Sequence, residues 1–563
     1  MKRLLTLTIL IMAFAVTNTF AQEAMRGRVI NYTDYGKVAE SVEKGTKKIG
    51  TRASAPLPCM GSPKVPVVLV EFSDLSFTVA GQTSEEVHAN YDKYFNQLEG
   101  HVGQNYGSVK QYFIDQSDGQ FSPDFSVIGP IKLPKSYAYY GEGTRDMPSR
   151  LSEFYSSACK QAMTDYDIDW TAFDNNNNGV VDFIFFIFAG EGENAGGDVN
   201  TIWPCEKVST VNITVNNETI AFGGYGCTNE KYVNGSKVYW DGVGTCIHEL
   251  SHGIGLPDFY DTKAYSYGLD YWDIMDSGCY TYVSGFYPVA YSAYEREFMG
   301  WRKMQEIKFD ADTTLIINPI ENKGEIAYKI CNPANANGDE YFILENRQNI
   351  GWDRFLGRNN AQYGVAHGLL IYHVDYKLSA WTSNTVNATA THQRMTIVPA
   401  DGTLDSYSLL NANSTQDDYN AWLISQRGDA YPGYTNKTEM SDYSVFTGGV
   451  IDMRITEITE NQDGTISVKI NNGVKTPSFT VGDPNNDGEI NVGDFTAIAN
   501  HILGNDGPTF IKEAADVNGD GEINVGDLTA EANLILNGSD AANAKSKQNG
   551  YNLQKVKNLR KTR

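Results

Sequence analysis

The 563-residue sequence has no Cys-x-x-Cys pair. Its seven cysteines, Cys59, Cys159, Cys205, Cys227, Cys246, Cys279 and Cys331, stand far apart, which argues against a zinc held by paired thiolates. Disulfide pairing in an oxidised chain cannot be deduced from such spacing, and an odd count leaves one thiol over. Past the N-terminus there is no apolar run of the ~20 residues that a membrane span needs. The most apolar internal stretch, "FIFFIFAG" (183–190), has the length of a buried strand. Positive charge is in deficit, with 45 Lys and Arg against 69 Asp and Glu and a net charge of −24, so a nucleic-acid partner is excluded on charge. Most of the excess acid reads as solvated surface, but its clusters point to calcium. No carboxylate pair of the kind a glycoside hydrolase uses is recognisable.

What is present is globular composition: 41% apolar and 20% charged residues. Domains of about 100–200 residues imply roughly three or four units. The many tyrosines, with Gly and Asn, suit a secreted, β-rich protein. Lys2 and Arg3 precede the apolar run Leu4 to Val16, and "TFA" offers small residues before Gln22, so residues 1–21 read as a cleaved export signal. Residues 22–64 are polar and end in "TRASAPLPCMGSPK", a propeptide or linker. From 65 to 305, "VPVVLVEFSD", two helical patterns ("GSVKQYFIDQSDGQF" and "MPSRLSEFYSSACKQAM") and "GVVDFIFFIFAGEGE" predict an α/β domain. From 306 to 474, runs such as "TTLIINPI", "EYFILENRQ", "GLLIYHVDY", "RMTIVPADG" and "GTISVKI" between Gly- and Asn-rich turns predict a β-sandwich. Residues 475–482 read as a linker, 483–538 as an internal repeat, and 539–563 as a basic, disordered tail.

The stretch "HELSHGIGLPD" (248–258) carries the chemistry. On a helix, His248 and His252 lie one turn apart on one side, and Glu249 sits beside them. A catalytic zinc takes neutral imidazoles, a third protein ligand and an open position for water. Gly255 and Pro257 end the helix, and a left-handed turn at the glycine bends the chain back. Asp258 is then the natural third ligand, with Asp261 as competitor. Downstream, "YWDIMDSG" places Met275 in a short turn that fits the Met-turn of metzincins. Taken alone, Met275 is more readily a core methionine.

These motifs, with "YAYYG", "FDNNNNGVVDFIFFIFAGEGE", "TIWP", "HELSHGIGLPDFYD", "REFMGW", "EYFILENRQ" and "GLLIYHVD", resemble the immune inhibitor A family of secreted bacterial metallopeptidases over roughly residues 65 to 400. The resemblance implies a metzincin-like zinc endopeptidase with a β-sandwich behind it. The family pattern HExxHxxGxxD falls on His248, Glu249, His252, Gly255 and Asp258, with Met275 as Met-turn residue. Glu249 is then the general base and later acid. One departure is Ser277, which stands where some metzincins carry a tyrosine, so the oxyanion-stabilising group has no name. Cys59 lies just before the first strand in an otherwise cysteine-free pre-segment. Its thiolate is a candidate latency switch on the open zinc position; a disulfide or an inert thiol is the plainer expectation.

"DPNNDGEINVGD" (483–494) and "DVNGDGEINVGD" (516–527) repeat with a period of 33. Oxygen side chains at positions one, three, five and nine, Gly at six and an acid at twelve give the calcium-loop layout. The ligands are Asp483, Asn485, Asp487, Asn491 and Asp494, and Asp516, Asn518, Asp520, Asn524 and Asp527, with the carbonyls of Glu489 and Glu522 at position seven. Gly488 and Gly521 permit the bend. Asp at twelve departs from an ordinary EF-hand, and one helix follows each loop, so the duplicate resembles a dockerin. Such modules bind a cohesin partner. Here Val492–Gly493 and Val525–Gly526 stand where cellulosomal dockerins often carry hydroxyls, which leaves a cohesin-like partner, a cell-surface attachment or an intramolecular role open. A third loop, "DNNNNGVVD" (174–182), offers Asp174, Asn176, Asn178, the Val180 carbonyl and Asp182 to calcium, or is an Asn-rich turn.

The sequence thus predicts a secreted zinc endopeptidase acting on protein or peptide substrates, with a calcium-folded docking module. The alternative is an inactive protease scaffold that adheres through its β-sandwich and dockerin. The intact His–Glu–His–Asp set favours the enzyme.

Overall fold

The computed structural model describes residues 55–144, 148–263, 267–308, 312–356, 367–404, 414–472, 480–507 and 509–537. The expected export signal, most of the pre-segment and the linker, and the basic tail lie outside them. The chain divides into two compact units, the first ending at Asn472 and the second starting at Gly473.

The first unit is built on a six-stranded mixed sheet. Its strands are β1 (Lys64–Glu71), β2 (Asp124–Lys132), β3 (Ile184–Glu191), β4 (Cys205–Val215), β5 (Glu218–Asn234) and β6 (Lys237–Trp240). They run in the order β2-β1-β3-β5-β4, and β6 pairs with β5. The central pairs β1–β2, β1–β3 and β3–β5 are parallel, whereas β4 and β6 are antiparallel to β5. A parallel centre is covered on both faces, which is why β1 and β3 are near-continuous apolar runs. Along β3 the alternation still decides direction. Phe185 and Ile187 enter one core with the helices Ser84–Asn96, Val109–Gln116 and Val243–Gly253, and Phe186 and Phe188 enter the other, against Pro148–Asp165. The long β4–β5 hairpin was not legible as strands. Its alternating Thr and Asn positions mask it, and it turns at Asn216 and Asn217, both left-handed (φ 52° and 69°).

Beyond residue 305 come β7 (Gln305–Glu306), β8 (Thr313–Ile317), β9 (Tyr328–Cys331), β10 (Glu340–Arg347), β11 (Gly368–Asp375) and β12 (Met395–Ile397). After the helix Gln416–Gly428 follow β13 (Ser444–Val445), β14 (Gly449–Val450), β15 (Met453–Glu460) and β16 (Ile466–Asn472). One sheet has the order β12-β11-β10-β9-β7, another β15-β16-β8. Every residue of β10 is buried. Phe342 and Leu344 share a core with Ile455, Ile466 and Val468 of the three-stranded sheet. Tyr341 and Ile343 instead join the core that contains the helix Val243–Gly253.

That second contact carries one apolar core across residue 305. A buried ion-paired network crosses it too. Arg347 pairs with Asp353 at 2.7 Å and donates to the backbone carbonyls of Trp272 and Ala290. The first unit is therefore a mixed α/β assembly with several sheets. Among the described residues, no helix is long and apolar enough to cross a membrane.

Candidate metal centre

The helix Val243–Gly253 is buried along its whole length. It has no side-chain cap of its own at Gly242; Asn105 Oδ1 accepts from Val243 N at 3.0 Å instead. Gly244 is fixed by close approach: a methyl group there would lie 1.8 Å from the Cys279 carbonyl oxygen. Only a residue without a Cβ lets the helix press against the turn that follows Met275. At the other end Gly255 takes φ 105°, and its N–H donates to His252 O at 2.9 Å. The left-handed turn expected from the sequence is thus present.

His248 Nδ1 lies 2.8 Å from Ile274 O, and His252 Nδ1 lies 2.8 Å from Leu256 O. A carbonyl only accepts, so each imidazole carries its proton on Nδ1 and leaves Nε2 as a lone-pair donor. Both Nε2 atoms converge on Asp258 Oδ1, at 3.3 Å and 3.2 Å. The three ligand atoms lie within 4.8 Å of one another, all buried. Asp258 Oδ1 makes no hydrogen bond, and among the described residues no lysine or arginine pairs with this carboxylate. Two buried imidazole lone pairs and one buried carboxylate oxygen, all facing one point, form the donor set of a transition-metal site.

Asp261, the competing ligand, is buried but stands outside this group; its Oδ1 accepts from Lys263 N at 3.0 Å. Glu249 is buried on the same helix, next in chain to His248. Met275 is fully buried, and its carbonyl accepts from Phe259 N at 2.9 Å, which ties the post-helix segment to the Met275 turn. Cys59 sits elsewhere than the latency expectation would have it. Its Sγ donates to Met299 O at 3.4 Å, its own carbonyl accepts from the Trp301 indole, and it belongs to the apolar core.

A residue that the sequence did not suggest is Asn384, which follows the helix Leu378–Thr382. Its Nδ2 donates to Asp258 Oδ2 at 2.5 Å and its Oδ1 accepts from Asp258 N at 2.7 Å. Nothing in its local sequence marks it, since the two partners lie 126 positions apart.

The loop 174–182 folds like the two repeat loops. Asp174, Asp483 and Asp516 each accept from the backbone N–H groups four and five residues on. The sixth position is left-handed in all three, with φ 83° at Gly179 and 89° at Gly488 and Gly521. In the first of them, Asn176 Nδ2 donates to Asp182 Oδ1 at 2.7 Å, and Asn178 Oδ1 accepts from Val180 N.

In the second unit, Asn491 caps the helix Val492–Ile502 and Asp494 returns the bond in a capping box. The loop's ninth and twelfth positions therefore also start its helix. Asn524 and Asp527 repeat the arrangement before Val525–Asn537. Asp483, Asp487 and Asp494 bring three carboxylates within 4.8 Å. Asn485 Oδ1 and Asp487 Oδ1 accept within the loop, and in its twin Asn518 and Asp520 do the same for Asp520 and Glu522 N–H. Val492 and Val525 are both about two-thirds exposed, at 68% and 67%. Glu531, on the last helix, is buried, and that burial, with Asp494 and Asp483 facing it, pushes its carboxyl up to about 7.

Comparison with known proteins agrees with this geometry. Residues 59–305 match the immune inhibitor A peptidase M6 catalytic domain, and residues 481–536 match the dockerin type I domain. Over 275 residues the chain is 30% identical to the pre-pro-metalloprotease PrtV of Vibrio cholerae serotype O1, covering 42% of this chain and 29% of that protein. Over 295 residues it is 26% identical to immune inhibitor A of Bacillus thuringiensis subsp. alesti, covering 44% of this chain and 42% of that protein. The matched part thus spans less than half the length of either relative. Residues 59–305 are thus similar to the immune inhibitor A peptidase M6 catalytic domain, and residues 481–536 to the type I dockerin domain.

Proposed function

We propose that this chain is a secreted zinc-dependent endopeptidase of the HExxHxxGxxD type that hydrolyses peptide bonds in protein substrates. The supporting observation is the convergence of His248 Nε2, His252 Nε2 and Asp258 Oδ1 on one buried point, with Glu249 on the same helix. His248, His252 and Asp258 would hold the zinc. When bound, the ion supplies Lewis acidity, lowering the pKa of the attacking water toward ~7 and polarising the scissile carbonyl. Glu249 accepts the proton of that water and returns it to the leaving amine. The carbonyls of Ile274 and Leu256 fix the imidazole tautomers. Asn384 fixes the carboxylate and draws density from its second oxygen, which moderates the negative charge that Asp258 gives the site.

The fold reading that goes with this is a metzincin-like catalytic domain, with Met275 as Met-turn residue, backed by a β-sandwich whose two sheets are β7–β12 and β8–β15–β16. Calcium would occupy both dockerin loops and the loop 174–182, whose shared backbone conformation supports a shared ligand. The partners are protein substrates at the metal centre and a cohesin-type protein at the dockerin, met through exposed valines rather than hydroxyls.

A casein or gelatin digestion by the mature secreted protein and by Glu249→Ala, with zinc content measured on both, tests the assignment. The expected result is cleavage by the first alone, at equal zinc content. Equal cleavage by both removes the enzyme assignment.

A further inference from the structure

The two dockerin repeats differ sharply at one core position. Counting from the loops, Ile498 of the helix Val492–Ile502 corresponds to Glu531 of Val525–Asn537, at the repeat period of 33. Both side chains are fully buried. An isoleucine needs no explanation there. The glutamate does: neither Oε1 nor Oε2 has a hydrogen-bond partner, and no lysine or arginine among the described residues pairs with it. A buried carboxylate without a donor or counter-charge is among the least favourable things a small core can hold.

Its position shows where a counter-charge would come from. A methyl group built on Gly482, the residue before Asp483, would lie 3.0 Å from Glu531 Oε2. The groups whose charge acts on Glu531 are Asp494 and Asp483, the last and first acids of the first loop. Gly482 N also donates to Ala514 O, and Ile511 N to Pro484 O, so the second half of the module is stitched to the entrance of that loop.

We propose that Glu531 is a charged neighbour of the first calcium site, supplied by the second repeat and standing beside the group of Asp483, Asp487 and Asp494 rather than within it. Four acids then surround the first site, Asp483, Asp487, Asp494 and Glu531, against three at its twin, Asp516, Asp520 and Asp527. Calcium affinity rises with the negative charge around the ion, so the two sites are unequal, the first being the tighter. Calcium in the first loop also fastens the final helix, which makes the two repeats order together. The inference rests on the calcium reading of the loops.

Calcium titration calorimetry and thermal melting on the chelator-stripped full chain test it, comparing wild type with Glu531→Ile, Glu531→Gln, Asp516→Ala and the double variant D483A/D516A. Glu531→Ile places the residue of the twin repeat. It is expected to melt higher than wild type in chelator, to gain less from calcium, and to bind calcium at the tighter site roughly tenfold more weakly, as loss of a neighbouring negative charge does. Glu531→Gln, which keeps an oxygen but not the charge, falls between. Asp516→Ala should remove the weaker site and leave the tighter one. Unchanged affinities in Glu531→Ile, or a rise in melting temperature equal with and without calcium, overturn the proposal while leaving the loops as calcium sites. Calcium uptake by D483A/D516A equal to wild type overturns the calcium reading itself.

Discussion

Asn384 holds Asp258 at two points, donating to its carboxylate at 2.5 Å and accepting from its backbone N–H at 2.7 Å. Asn384 itself is left-handed, with φ 52°, a conformation that asparagine tolerates better than other side chains. The region beyond residue 305 therefore supplies a group that holds Asp258, the carboxylate of the candidate metal centre. Asn384→Ala should lower zinc affinity and kcat/KM by about 10–100-fold, the usual effect of removing a group that orients a ligand. Asn384→Asp should be worse, because it sets a second carboxylate against the first. Competition with a zinc chelator, alongside kcat/KM on a peptide substrate, measures both. Wild-type zinc affinity in Asn384→Ala would contradict the role.

Gly244 admits the Cys279 carbonyl where any Cβ would stand. Both neighbours are backbone, so neither can swing away. Gly244→Ala should push the motif helix off the Met275 turn, costing about 3 kcal/mol or more, as overpacking against rigid atoms does. The readout is loss of soluble protein or a lowered denaturant midpoint. Gly235→Ala, in an open turn with no neighbour within 4 Å, is the milder control for handling.

Glu340 governs an acid-sensitive joint. Burial works to raise its pKa, but His373, the N–H groups of Phe446 and Thr447, and Asn332 prevail and bring it from 4.5 to about 2. A depressed pKa means that the charged form is favoured by folding. The stability it contributes is complete above about pH 4.5 and is lost as pH falls toward 2. Glu340→Gln should thus be less stable than wild type at pH 7, with the gap closing across that acid window. Urea midpoints at a series of pH values give the curve. A gap that persists unchanged at pH 2 would mean that the carboxylate charge is not what matters.

Asp174 accepts from Asn178 N at 2.9 Å and Gly179 N at 2.7 Å. Asp174→Ala removes both bonds and should cost about 1–2 kcal/mol in chelator. If calcium occupies the loop, the loss in saturating calcium should be larger, and the calcium-induced rise in melting temperature should shrink. Equal losses in both conditions would show a turn held by hydrogen bonds alone.

The elements with a period of their own were legible. β1 and β3 are apolar because parallel centres are covered twice, and the histidine spacing, Gly255 and Asp258 are a local instruction that the helix and its turn carry out. The two repeat loops are written residue by residue in the same way. The contact of Cys59 with Met299 was not legible, because a position just before the first strand says nothing about a partner 240 residues away. The β4–β5 hairpin was hidden because both strands face water on part of their length and so lack a continuous apolar run.

By itself the sequence determined the identity of the donors: two imidazoles four residues apart and a carboxylate after a glycine turn, since these depend only on helix pitch and one left-handed residue. The tertiary structure alone decided what holds them. Ile274 and Asn384 reach these groups from other segments, Asn105 holds the start of the motif helix and Arg347 ties β10 to the backbone of Trp272 and Ala290. Such pairings cost chain entropy that no local pattern encodes; they exist because burying the apolar residues of β10 brings those segments together.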